Sequence, residues 1–112
     1  MITRIPASTA TKAKLFRGFS DVSRLALLEA LRDGPLTVTA LIEQTGLTQS
    51  NVSNHLACLR DCGLVIASRQ QRYTLYQLGD ERVATLLSLA EALLVETAQG
   101  VNACPRYEQK EA

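Results

Sequence analysis

The chain has 112 residues, of which 46% are hydrophobic and 21% charged, with 12 Lys and Arg against 11 Asp and Glu, and three cysteines. Such a composition fits one globular domain, has no run of roughly 18 apolar residues to span a membrane, and opens on Met1-Ile-Thr-Arg-Ile-Pro6 without the apolar stretch of a secretory signal. A cytoplasmic protein is therefore expected, in which three cysteines are a poor disulfide scaffold and point instead to metal or redox chemistry.

In chain order, residues 1–8 read as a loose arm. Residues 9–19, with Leu15, Phe16 and Phe19, suffice for a short helix. Ser20 is placed to cap a second helix over 21–33, whose Val22, Leu25, Leu28, Ala30 and Leu31 form a stripe at helical spacing, closed by Gly34-Pro35. Residues 37–46 predict a short helix ending at Gly46, and Thr48 caps another running to about Cys62, with Gly63 as its stop.

The period then changes. Segments 64–69 and 73–78 are rich in β-formers and are joined by Gln70-Gln71-Arg72, which predicts a hairpin. Residues 80–98 return to a helix whose Leu89 and Val95 widen the apolar face beyond one stripe, as a dimer surface would require. The polar remainder, 99–112, reads as a second flexible arm around Cys104-Pro105. With no repeats or linkers, residues 1–112 make a single domain, mainly α in an α+β arrangement.

The net charge of +1 hides an asymmetry. Residues 1–24 hold Arg4, Lys12, Lys14, Arg17 and Arg24 against Asp21 alone, whereas carboxylates outnumber bases from Asp80 onward. Balanced charge disfavours unspecific polyanion binding by a monomer, yet it is compatible with a dimer that places a few basic groups locally.

The two helices across 37–62 flank Thr45-Gly46-Leu47, the short glycine-containing turn of a helix-turn-helix unit. On a helical wheel, Leu56 and Leu59 fall within about 40° of Val52 and mark the core side. Gln49, Ser50, Ser53 and Arg60 occupy a separate sector with Asn54 at its edge, small polar groups suited to base edges and phosphates in a major groove. Arg69 and Arg72 on the hairpin could neutralise neighbouring phosphates. An ordinary solvated helix face would show the same polarity.

Two segments carry a resemblance. Leu15-Phe-Arg-Gly-Phe-Ser-Asp-Val-Ser-Arg-Leu-Ala-Leu-Leu-Glu-Ala-Leu31 and Thr48-Gln-Ser-Asn-Val-Ser-Asn-His-Leu-Ala-Cys-Leu-Arg-Asp-Cys-Gly-Leu-Val65 resemble the entry helices, the recognition helix and the start of the wing in the ArsR/SmtB family of metal-responsive bacterial repressors. The likeness spans about residues 12–97. It implies a winged helix-turn-helix with N- and C-terminal dimerisation helices, a homodimer that represses an inverted-repeat operator until its inducer arrives. Val22-Ser23 departs from the Pro-Thr pair that the family often carries there.

Cys58 and Cys62 lie four residues apart, hence on one helix face with Cβ atoms about 5–6 Å apart, close enough for both sulfurs to reach one ion. Their near-parallel projection disfavours a disulfide within an intact helix. A pair of small semi-buried hydrophobes would fit the same spacing. Cys104 in a polar tail has no such reading, and two facing thiols with a mobile third make a plausible thiolate trap. Three sulfurs suit soft ions, Cd(II) or Pb(II) first, with Zn(II) and As(III) as further candidates.

The stretch from Ser50 to Val65 is most similar to cadmium- and lead-sensing members of the family. That resemblance implies metal ligation by Cys58, Cys62 and, by tail placement, Cys104, the last supplied by the other subunit. Two other family sensor sites have no counterpart, because residues 37–45 lack cysteine and residues 80–98 lack histidine. His55 is aligned with the cysteine pair and could be a fourth ligand or a structural group. Rival readings are a redox- or arsenite-responsive repressor on the same scaffold, and a small cysteine-nucleophile enzyme. The enzyme reading finds no orienting acid for its sole histidine and no glycine-rich loop.

Overall fold

A computed structural model describes residues 7–106. Helix α1 (Thr9–Phe19) begins where Ser8 Oγ accepts from the Thr11 N–H at 3.1 Å. Helix α2 (Val22–Ala30) is capped by Asp21, whose Oδ1 accepts from the Arg24 N–H at 3.0 Å. The cap expected at Ser20 is thus displaced by one residue: a carboxylate satisfies the helix amide, and the Ser20 hydroxyl donates back to Arg17 O at 2.9 Å. A 3-10 turn (Leu31–Asp33) extends α2 until Gly34, at φ 144°, and Pro35 end it.

Helix α3 (Val38–Thr45), capped by Thr37, closes on Gly46 in the left-handed region at φ 75°. Helix α4 (Gln49–Asp61), capped by Thr48, finishes in a Schellman arrangement. There the Gly63 N–H donates to Arg60 O and the Leu64 N–H to Leu59 O, both at 3.0 Å, with Gly63 at φ 82°. The hairpin pairs β1 (Val65–Gln70) with β2 (Tyr73–Leu78) antiparallel, in a register running from Val65 opposite Leu78 to Gln70 opposite Tyr73. Its base is pinched: the Gly79 N–H donates to Leu64 O, and a Cβ on Gly79 would collide with the carbonyl of Gly63.

Helix α5 (Glu81–Ala103) runs past the expected end at residue 98. Nothing before Pro105 breaks it, because Gly100 weakens a helix without blocking its hydrogen bonds. Proline then pushes Cys104 out of the helical region, to φ −71° and ψ 115°. Ser8 and residues 99–103 therefore belong to helices and not to the expected arms. Residues 1–6 and 107–112 of those arms lie outside the described residues.

The core sits where α2, α3 and α4 meet the base of the hairpin. Leu27, Leu28, Leu31, Leu41, Val52, Leu56, Leu59 and Val65 are at most 2% exposed, and Val83 and Leu87 of α5 close the cluster. Val52, Leu56 and Leu59 are thus the inward face of α4, as the wheel requires. Outside the core a broad apolar surface stays uncovered on this chain, with Phe16 on α1 and Leu89, Leu93 and Val95 on α5 all more than half exposed.

Candidate nucleic-acid interface and thiolate site

The hydrophobic seam of α4 sets everything the helix displays. With Val52, Leu56 and Leu59 buried, Gln49, Ser50, Ser53, Asn54 and Arg60 all face solvent. The Thr45-Gly46-Leu47 turn holds α3 against α4, and the Thr45 hydroxyl donates to Leu41 O at 2.6 Å. Arg69 and Arg72 are exposed on the wing. The hairpin does not hang free: Leu36, just ahead of α3, exchanges both backbone hydrogen bonds with Tyr76 of β2, at 2.9 and 2.8 Å. Sequence patterning gives no sign of this pair, because a single bridge residue carries no periodicity.

Cys58 projects from the last full turn of α4, and Cys62 is the residue that closes the helix, still helical at φ −83° and ψ −9°. One face therefore presents both sulfurs. Both residues are exposed, which removes the reading as semi-buried hydrophobes. The Cys62 thiol donates to Cys58 O at 3.1 Å. Partial burial, the neighbouring Cys58 sulfur and Asp61 push the Cys62 thiol up from its ordinary value, while Arg24 pulls the other way. A second sulfur close enough to disfavour a lone thiolate is the arrangement a soft cation reverses, since one ion satisfies both.

Cys104 is half-buried at the C-terminal cap of α5, its N–H donating to Val101 O at 3.3 Å. The chain does not bring it to the pair: no cluster of three His, Cys, Asp or Glu side chains able to hold a metal ion occurs among the described residues. One chain therefore offers a two-sulfur half-site with soft donor chemistry, plus a separate third thiol. Cys62 also lines a cleft of about 400 Å³ with Lys14, Leu15 and Gly18 of α1 and with Leu64.

His55 turns toward the start of α2, with Nε2 4.0 Å from Asp21 Oδ1. The same Asp21 oxygen caps α2, so the histidine ties the recognition helix to the helix beneath it. Arg24 extends the junction by donating from Nε to Gly18 O at 3.2 Å and from Nη2 to Arg17 O at 2.9 Å, which satisfies the last carbonyls of α1. These contacts run across helix ends and leave no mark on the apolar pattern.

Comparison with known proteins accords with this geometry. Residues 21–67 match the family model described as bacterial regulatory protein, arsR family. The chain is 41% identical over 96 residues to a probable mercury resistance operon repressor from Streptomyces lividans, covering 86% of this chain and 77% of that protein. It is 44% identical over 89 residues to the transcriptional regulator CmtR of Mycobacterium tuberculosis, covering 78% and 75% of the two chains. The NMR structure of that cadmium metal-sensor superposes with a TM-score of 0.61 at 46% identity, over 68% of this chain and 79% of the other. A homodimeric winged helix-turn-helix DNA-binding domain from Mycobacterium bovis superposes with a TM-score of 0.68 at 26% identity, over 86% and 95% of the two chains.

Proposed function

The chain belongs to the arsR family of bacterial regulatory proteins, and from that membership we propose that it is a homodimeric repressor whose hold on operator DNA is released by a soft, thiophilic metal ion. It is a winged helix-turn-helix transcription regulator, and its relatives are regulators and not enzymes. The single observation that carries the metal reading is the exposed Cys58–Cys62 pair, two soft donors on one helix face in a chain similar to a cadmium sensor.

In this reading α4 enters the major groove, where Gln49, Ser50, Ser53 and Asn54 address base edges and Arg60 a phosphate, while Arg69 and Arg72 of the wing neutralise flanking phosphates. Two copies joined through α1 and α5 bury Phe16, Leu89, Leu93 and Val95 and set two reading heads at half-site spacing, which selects an inverted repeat. The regulator acts in the cytoplasm.

Cys58 and Cys62 supply two thiolates and Cys104 the third. Because one chain keeps Cys104 apart from the pair, the completing sulfur is assigned to the partner, and the site then joins the two subunits. Cd(II) and Pb(II) are the favoured inducers. The mercury repressor relative adds Hg(II) to the soft ions to be tried, beside Zn(II) and As(III). His55, held by Asp21, is assigned a structural role and not that of a fourth ligand.

Release requires that the thiolates bind metal more tightly in the free dimer than in the DNA-bound one; linkage then makes the ion weaken DNA binding by the same factor. The test is DNA release by cadmium from Cys58→Ser, Cys62→Ser and Cys104→Ser. Each variant should bind operator as the wild type does and fail to let go. Unaltered release in all three would overturn the metal site, and release by peroxide without metal would favour a redox switch.

A further inference from the structure

A second cleft, of about 260 Å³, opens between the wing and the entry to α3, lined by Thr37 and Thr39 on one side and by Arg69, Arg72, Tyr73 and Thr74 on the other. Resting on the reading of this chain as a DNA binder, we propose that the cleft seats a single backbone phosphate of the DNA, gripped by both wing arginines and by the threonine hydroxyls opposite them.

The chemistry of the walls selects an anion. Two guanidinium groups line the cleft and no carboxylate does. Arg72 has no ion-pair partner among the described residues. Arg69 is steadied on the turn, its Nε donating to Gln71 O at 3.1 Å, which leaves its terminal N–H groups for a ligand. A guanidinium fork matches the two non-bridging oxygens of a phosphodiester. Thr37 Oγ1 already accepts from the Ala40 N–H at 3.2 Å, so its own hydrogen remains to be donated.

The walls are also fixed relative to each other. The paired hydrogen bonds between Leu36 and Tyr76 stitch the residue ahead of Thr37 to the strand that carries Tyr73 and Thr74. A site held this way loses little freedom when it closes on its ligand. In a helix-turn-helix the first helix crosses the DNA backbone while the second enters the groove, so the start of α3 and the adjoining wing lie along the path of a phosphate strand. A site of this kind fixes register and contributes no choice of sequence.

The test measures duplex binding by the full chain across a salt series, with one duplex selected from a random library and one of scrambled sequence. Arg72→Ala should weaken both duplexes by the same factor and lower the slope of log affinity against log salt by about 1. Arg72→Lys should keep the slope. Thr39→Val should weaken both by about 2- to 10-fold with the slope unchanged, as loss of an uncharged hydrogen bond does. Melting temperatures show that each variant is folded.

An unchanged slope in Arg72→Ala, a loss confined to the selected duplex, or an unaffected Thr39→Val would each overturn the proposal. Inorganic phosphate shifting the amide resonances of Thr39 and Arg72 at concentrations that leave bound DNA in place would reassign the cleft to a free anion and overturn it too. A wild type that binds neither duplex would end the DNA reading itself, a result distinct from all of these.

Discussion

His55 Nε2 lies 4.0 Å from Asp21 Oδ1, the oxygen that also receives the Arg24 N–H at 3.0 Å. Through this one carboxylate the recognition helix is fastened to the N-terminus of α2, and Arg24 continues the link to the last carbonyls of α1. The helix that reads DNA and the helix that offers an apolar dimer face therefore share a junction, with Cys62 close enough for the Arg24 charge to act on its thiol.

Asp21→Ala removes the cap of α2 and should cost about 1 kcal/mol of stability, measured by urea denaturation. The Asp21 carboxyl is held below its ordinary value, first by the Arg24 N–H and then by the Arg24 and His55 charges. A carboxylate lowered in the folded state stabilises above its unfolded pKa, and that contribution fades as pH falls through the folded value. Wild type should therefore lose stability below about pH 4 more steeply than Asp21→Ala does.

His55→Gln separates a structural histidine from a ligand. Cadmium should bind with the same stoichiometry and the same thiolate-to-metal absorption as in the wild type, with a stability loss below about 1 kcal/mol, the scale of a partly exposed pair. A changed absorption band would return His55 to the coordination sphere.

Gly79→Ala should be among the most damaging single-methyl additions in the chain, because the new Cβ meets the Gly63 carbonyl and both partners are backbone. We expect a loss of roughly 1–3 kcal/mol and a wing splayed from α4, read as lower melting temperature and weaker DNA binding together.

The apparent cadmium affinity should rise with pH, because thiols must shed protons to bind. Burial and the adjacent Cys58 sulfur hold the Cys62 proton on above its usual range. The rise should therefore continue past about pH 8.5, where an ordinary thiol levels off. Proton release measured by calorimetry in buffers of different ionisation enthalpy checks the direction.

Much of this architecture is legible in the residues. The glycines at 46 and 63 and the threonines at 37 and 48 mark the helix-turn-helix, since each cap and stop has a local chemical cause. The Cys58–Cys62 spacing gives a shared face by helical geometry alone. What escapes the pattern is long-range or one residue wide. The Leu36–Tyr76 bridge, the Arg32–Glu91 ion pair at 2.7 Å that ties the 3-10 turn to α5, and the threonine wall of the wing cleft join segments whose meeting depends on the packed core. Cys104 was expected in a flexible tail because 99–112 is polar, yet on an already formed helix polarity alone does not end the hydrogen-bond ladder; Pro105 does.

The most direct measurement titrates cadmium into the reduced protein bound to labelled operator DNA, following ultraviolet thiolate-to-metal absorption and DNA release in one sample. The wild type should show both signals saturating together. Cys58→Ser/Cys62→Ser should bind the operator equally well but need more than about tenfold more cadmium for release, with the absorption band lost. Release of DNA from that double variant at the wild-type cadmium concentration would contradict thiolate sensing by the recognition helix.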